Sequence, residues 1–295
     1  MKKKKVLKQI TVISGKGGTG KTTLVASFAA LAENKVIADC DVDAPDLHLL
    51  LHPEIIERKE FKGLKVAVMD KTLCTECGTC EETCRFNAII LTEESGYAVN
   101  SARCEGCGAC VFSCPQEAIT LKERVSGYTF ISKTEYGTMA HAQLNIAEET
   151  SGKLVTEVRD RAQQVAEKEN SELILIDGAP GIGCPVIASL TGVDLALIVT
   201  EPTMSGLHDL ERILDMTSHF GIGSVVCINK YDINEENSRR ITAFCRQRGI
   251  EVVGNIPYDP VVTEAMVAGM PVVEFSEGKV SEAIKDLWMG INCFG

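Results

Sequence analysis

Apolar residues recur along this chain in two alternating rhythms. Short β-branched runs at 8–14, 35–39, 172–177, 193–200, 223–229 and 251–255 predict strands. Between them, the stretches near 21–33, 152–168, 205–219, 235–248 and 280–289 repeat apolar positions at helical spacing. In 152–168 the period is clear: Val155, Val158, Ala162, Val165 and Ala166 fall on one face, and Ser151 stands where a cap belongs. Strands alternating with helices predict parallel pairing, because a parallel pair needs a long crossover connection. The expected fold is α/β, an open, doubly wound, mostly parallel sheet with helices on both faces.

The alternation is interrupted after its second strand by a segment with a repeat of its own. Cys74, Cys77, Cys80 and Cys84 form C-x2-C-x2-C-x3-C, and Cys104, Cys107, Cys110 and Cys114 repeat it thirty residues later. The match runs past the cysteines, since "CRFNAIIL" aligns with "CPQEAITL". Each half of this duplication holds an apolar strand-like piece, a ligand loop and a short helix. The expected organisation is a discontinuous domain of 1–64 and 123–295 with an α+β domain inserted at 65–122. Segment 123–150 shows no firm pattern and reads as a loop returning from the insert.

Thiolates at this spacing suit cubane iron–sulfur clusters. In the bacterial two-cluster ferredoxin pattern the first three cysteines of a run hold one cluster and the fourth completes the other. Cys74, Cys77, Cys80 and Cys114 are therefore assigned to a first [4Fe–4S] cluster, and Cys104, Cys107, Cys110 and Cys84 to a second. C-x2-C pairs also bind zinc, but two tandem runs of four favour iron–sulfur. Pro115 follows the fourth cysteine of the second run, whereas Arg85 stands in the matching place of the first, which predicts an altered potential or exposure. Cys40, Cys184, Cys227, Cys245 and Cys293 are scattered without a C-x-x-C pair and read as small buried hydrophobes. Cys184, close to the turn after 172–177, is the one to watch.

Composition changes this picture little. The 295 residues are 45% hydrophobic and 24% charged, with a net charge of −11, which gives no general attraction for nucleic acid or anionic membrane. The opening "MKKKK" reads as a solvated tail, because the apolar run behind it is short and broken by Lys8 and Gln9. A soluble, cytoplasmic protein is expected, in a compartment that keeps thiols reduced and free to bind metal.

The candidate chemistry outside the insert begins at "SGKGGTGKTT". Gly15, Gly20, Lys21 and Thr22 satisfy G-x4-G-K-[ST] between a strand and a helix. In such a loop backbone N–H groups curl around phosphate, Lys21 reaches the β and γ oxygens, and the Thr22 hydroxyl ligates Mg²⁺. Gly15, Gly17, Gly18, Thr19, Gly20, Lys21, Thr22 and Thr23 are the expected nucleotide-binding residues. "ELILID" ends on Asp177, placed to meet the metal, and "GAPGIG" behind it reads as a turn able to sense the γ-phosphate. Asp39, Asp41 and Asp43 follow the second strand; Asp39 is expected to support the metal and Asp41 to position the attacking water.

Together "GKGGTGKTT", "DCDVDAPDL", "LILIDGAPGIG", "VTEPTMSGLHDLERIL" and "NIPYDPVVTEAMVAGMPVV" resemble the MinD/Mrp group of deviant-Walker P-loop ATPases over nearly the whole chain. The interruption resembles that of the subgroup carrying an inserted two-cluster ferredoxin domain. The resemblance implies that Lys16 reaches across a nucleotide-sandwich homodimer to the partner's phosphates, a second cation that makes Lys16, Lys21 and Asp41 the catalytic residues. It assigns Asn229 to adenine, although "NKYD", ending on Asp232, is also the guanine-selecting pattern of many GTPases. Ala283, Ile284, Leu287 and Trp288 make a C-terminal stripe with near-balanced charge, which reads as core packing and argues against membrane positioning. The C-terminal C-x-x-C pair usual in Mrp-type cluster carriers is missing.

Two functions follow as expectations. The first is ATP hydrolysis coupled to low-potential electron delivery from the clusters to a partner metalloprotein or a cluster under assembly. The second is a nucleotide-gated carrier or maturation scaffold that donates an iron–sulfur cluster.

Overall fold

Side-chain alternation along the strands decides the architecture. The computed structural model describes residues 7–93, 96–145 and 151–292. Strand β1 (Lys8–Ser14) leads into helix α1 (Lys21–Leu31), β2 (Lys35–Asp39), the short α2 (His48–Leu51) and β3 (Glu54–Met69). Next come α3 (Thr79–Thr83), the hairpin of β4 (Ile89–Thr92) and β5 (Gly96–Val99), α4 (Ala109–Ser113), β6 (Ile119–Thr134) and β7 (Gly137–Leu144). The remainder alternates strictly: α5 (Ser151–Glu169), β8 (Leu173–Pro180), α6 (Cys184–Leu190), β9 (Leu195–Thr200), α7 (Met204–His219), β10 (Gly223–Asn229), α8 (Glu235–Gln247) and β11 (Glu251–Ile256). Three helices follow, α9 (Val261–Ala268), α10 (Val272–Phe275) and α11 (Lys279–Asn292).

The chain divides into two compact units: one comprises the described residues through Arg58, Thr129–Gln143 and everything from Ser151, and the other comprises Lys59–Tyr128 with the chain from Leu144. The sheet order is β11-β10-β9-β1-β8-β2-β7-β6-β3, and the six pairs from β11 to β7 are parallel. Alternate residues of the central strands feed two apolar clusters on opposite faces. Ile10, Val12, Leu197 and Cys227 pack with α1, α10 and α11, whereas Ile13, Ile198, Val226 and Ile228 pack with α6, α7 and α8.

All six expected strands are present, and three more extend the sheet. Segment 123–150 is not a returning loop: through residue 145 it is mostly β6 and β7, and β3 begins at Glu54. A two-residue turn joins β6 to β7, which permits only antiparallel pairing. Their pattern is broken by charged and polar positions, and the buried faces mix polar with apolar side chains: Ser126, Thr129 and Ser132 beside Phe130 and Ile131 in β6, and Met139, Ala140 and Ala142 in β7. Ser151 is the first residue of α5 and not its cap, and Val165 is only half-buried. Arg161 is buried on that helix instead, its guanidinium donating to Thr129 Oγ1 at 2.7 Å and pairing with Glu57 at 2.6 Å.

Cys40, Cys227 and Cys245 are buried, Cys184 is exposed, and Cys293 lies outside the described residues, as does the lysine run at 2–5. Among the described residues no helix is long and apolar enough to cross a membrane. The C-terminal stripe is core: Ile284, Leu287 and Trp288 are buried, and the Trp288 ring lies 5.0 Å from Phe28 of α1. Replacing Trp288 with Ala is expected to destabilise this unit by about 3–5 kcal/mol, the cost of deleting a buried aromatic. Urea unfolding monitored by far-ultraviolet dichroism measures it.

Candidate functional site

A parallel sheet brings its strands' carboxyl ends to one edge, and the candidate residues gather there. After Ser14 the chain turns through Gly15–Gly20 into α1, whose first residue, Lys21, is buried. Gly20 caps the helix at φ 93°, a left-handed conformation natural to glycine. Space is equally tight: a Cβ on Gly20 would stand 2.4 Å from Asn229 Nδ2, and one on Gly15 would stand 2.2 Å from Asp209 Cβ. Lys21, Thr22 and Thr23 occupy the first turn, where helix N–H groups have no internal partner and face an incoming anion. The Thr19 hydroxyl is buried here without a hydrogen bond.

Two carboxylates stand beside this loop. Strands β2 and β8 pair in a register that sets Asp39 opposite Asp177, and both are almost fully buried. Asp39 accepts the Asp41 N–H through Oδ1 at 3.1 Å, but its Oδ2 and both oxygens of Asp177 have no hydrogen-bond partner. Burial, and then Asp177, push Asp39 well above the usual carboxylate range. Burial raises Asp177 as well, against the opposing pull of Lys21 and the nearby Thr22 hydroxyl. Half-buried Asp41 is raised by burial while Lys21 draws it back down, and Asp43 is exposed. Adjacent buried carboxylates without a counter-charge are costly, and a hard divalent cation relieves them. The oxygen donors of Asp39, Asp177 and Thr22 fit Mg²⁺.

Lys16 and Asn229, singled out by the sequence, are tied into one network by residues it did not single out. Lys16 Nζ pairs with Glu201 Oε2 at 3.0 Å, and Lys230 Nζ with Glu201 Oε1 at 2.7 Å. Partial burial would raise Glu201, but hydrogen bonds from Lys230 and Lys16 outweigh it and hold the carboxyl below its usual range. Asn229 donates to the Thr19 carbonyl at 2.8 Å and accepts the Lys230 N–H at 3.0 Å. Asp232 accepts the Tyr258 N–H at 2.7 Å. Glu201 had one legible signal, its place just past a strand end beside the loop-bearing strand.

In the other unit the internal repeat is reproduced in backbone conformation. Gly78 and Gly108 have φ of 79° and 81°, Glu76 and Gly106 of 56° and 61°, and Asn87 and Glu117 of 50° and 51°. The eight cysteines sort into two small cavities. Cys74, Cys77, Cys80 and Cys114 line one, and Cys84, Cys104, Cys107 and Cys110 the other, so each cavity takes three from one run and the fourth from the other. Backbone N–H groups of Ala118, Ala88 and Ala67 each donate to a sulfur, of Cys114, Cys84 and Cys104, at 3.4 Å. Among the described residues no three Cys, His, Asp or Glu side chains converge as a single-ion site requires.

Residues 10–272 match the family model of the CobQ/CobB/MinD/ParA nucleotide binding domain. An uncharacterised protein of Methanocaldococcus jannaschii is 33% identical over 287 residues, 96% of each chain. An iron-sulfur cluster carrier protein of Pyrococcus horikoshii is 25% identical over 150 residues, covering 46% of this chain and 50% of that protein. Among solved structures, the septum site-determining protein MinD of Pyrococcus horikoshii, complexed with Mg-ADP, superposes with a TM-score of 0.57 at 18% identity over 97% of this chain and 96% of that one.

The buried acids carry a pH signature. A carboxyl whose folded pKa is raised binds its proton more tightly in the folded state, so its stabilising effect is complete below the ordinary carboxylate range and is lost as pH rises through the raised value. Metal-free protein is expected to melt lower at pH 8 than at pH 5. Asp177→Asn should flatten that profile, gaining on the order of 1–3 kcal/mol at pH 8 because a neutral amide replaces a buried charge, and abolish Mg²⁺-dependent stabilisation. Thermal melts across pH, with and without Mg²⁺ and nucleotide, read both effects.

Proposed function

The chain belongs to the CobQ/CobB/MinD/ParA nucleotide-binding family, and from that premise we propose that it is a Mg²⁺-dependent ATPase whose second unit is an inserted two-cluster ferredoxin. Nucleotide state is coupled in it to low-potential electron transfer, with a partner metalloprotein or a cluster under assembly as acceptor. The observation that carries this reading is the sorting of eight cysteines into two four-cysteine cavities with the fourth ligand exchanged. Zinc draws four ligands onto one point, whereas a cubane offers each sulfur a separate corner. The apolar core of this unit supports the same reading, since Cys80, Cys104 and Cys110 form much of it and so small a core needs a staple. Bound there, [4Fe–4S] clusters supply one-electron redox chemistry, tuned by the N–H groups that donate to Cys84, Cys104 and Cys114.

In the nucleotide unit the residues divide the work. Gly15 through Gly20 wrap the phosphates with backbone N–H groups, and Lys21 neutralises the β and γ oxygens. Thr22, Asp39 and Asp177 hold Mg²⁺, Asp41 orients the attacking water, and Asn229 faces adenine. Lys16 adds a second cation from the partner of a nucleotide-dependent homodimer, where it offsets charge developing during transfer. A carrier reading, in which the nucleotide latches a donated cluster, draws on the partial likeness to the Pyrococcus horikoshii cluster carrier protein.

Anaerobic purification followed by iron and sulfide analysis and spin-resonance spectroscopy, with and without Mg-ATP, tests the proposal. Two [4Fe–4S] clusters that cycle on reduction, with a potential that moves on ATP binding, are expected. Cys114→Ser should disturb the cluster of Cys74, Cys77 and Cys80 and spare the other. Zinc without iron, or clusters indifferent to nucleotide, would overturn the coupled mechanism. Net transfer of iron and sulfide to an apo-acceptor would favour the carrier, and a preference for GTP would remove Asn229 from adenine.

A further inference from the structure

We propose that Glu201 is a positioning residue: it holds Lys16 within its own subunit and thereby sets how readily that lysine is released to a partner subunit's nucleotide. The proposal rests on the reading above that Lys16 acts across a dimer.

A lysine has one charge to give. In this structure the charge of Lys16 is committed in cis, 3.0 Å from Glu201 Oε2, so reaching any other anion requires that ion pair to break. Glu201 is well placed to compete. Its side chain is only 14% exposed, which limits screening by water and salt, and its charge is shared with Lys230, which pairs with its second oxygen at 2.7 Å. The Lys16 side chain is 35% exposed and retains a solvent route outward.

Lys230 is itself anchored. It takes a left-handed backbone conformation, φ 54°, directly after Asn229, whose side chain accepts the Lys230 N–H and donates to the Thr19 carbonyl. The corner at 229–230 therefore restrains the loop at two points, Thr19 directly and Lys16 through Glu201. Between those points lie Gly17 and Gly18, exposed and without side chains. The Lys16 backbone is held separately, its carbonyl accepting the Ser14 hydroxyl at 2.7 Å, so the Glu201 contact governs the side chain, which can extend outward once that ion pair breaks while Lys21 stays seated in α1.

Removing either charge beside Lys16 should shift its availability in opposite directions. Glu201→Gln deletes the cis competitor. Lys230→Gln leaves Glu201 with Lys16 as its sole cation and tightens the hold. For the full-length, cluster-loaded protein, sedimentation equilibrium with Mg²⁺ and a non-hydrolysable ATP analogue should show the dimer dissociation constant falling about two- to fivefold in Glu201→Gln, the scale of a partly exposed ion pair, and rising in Lys230→Gln. In a Lys16→Ala background both shifts should vanish, which a merely structural role for Glu201 would not produce.

The outcomes separate the two levels of the proposal. If Lys16→Ala leaves nucleotide-dependent dimerisation and turnover unchanged, the underlying reading of Lys16 fails. If Lys16→Ala weakens the dimer but Glu201→Gln has no effect, or has the same effect without Lys16, the role of Glu201 is overturned. Should Glu201→Gln melt before it can be measured, Lys230→Gln carries the test, and a dimer constant equal to wild type overturns it.

Discussion

Asp39 and Asp177 stand side by side because β2 and β8 run parallel and in register, so both strands deliver their last acid to the same edge of the sheet. Lys21 offsets the pair only in part, acting on Asp177 from the loop, and three of the four carboxylate oxygens lack a hydrogen bond. Two buried like charges are an unstable arrangement unless a cation joins them or protons remain on them. The apparatus around them follows from that constraint. The loop after β1 places a lysine and a hydroxyl beside the acids, and the half-buried Asp41 lies next along the chain.

The same edge carries a second electrostatic arrangement with the opposite logic. Around Asp39 and Asp177 anions wait for a cation, whereas around Glu201 two cations share one anion. The proposed Mg²⁺ would relieve the first arrangement, and the proposed release of Lys16 would draw on the second. Both lie at carboxyl ends of neighbouring parallel strands, with Asn229 bridging to the loop from the next strand along. Small movements of the loop are therefore felt by several strand ends at once, through ion pairs and hydrogen bonds.

The cysteine unit solves a different problem. Its apolar core is built of a few residues, Ala67, Ala88, Ile89 and Ile119 among them, together with Cys80, Cys104 and Cys110. A core of that size leaves little margin over chain entropy. Duplication of one loop, with matching left-handed residues in each copy, yields two four-sulfur cavities from a single structural idea.

Much of this was legible before any coordinates. β-branched runs announced six strands, helical periodicity announced the principal helices, and the glycine loop and the cysteine repeat marked where the two candidate sites lie, because each signal depends on local sterics or on spacing along the chain. What stayed hidden depends on partners distant in sequence. β6 and β7 take their places only through the strands they neighbour, β7 beside β2 and β6 beside β7, and Arg161 enters a core face only because Thr129 and Glu57 meet it. Likewise Glu201 looked like an ordinary acid after a strand until Lys16 and Lys230 closed on it from residues 185 and 29 positions away. The sequence alone determined six of the strands, the principal helices and the groups they carry; the tertiary structure decided the three further strands and which charges face each other, because both depend on strand order, and strand order is set by packing across the whole sheet and by no local stretch of chain.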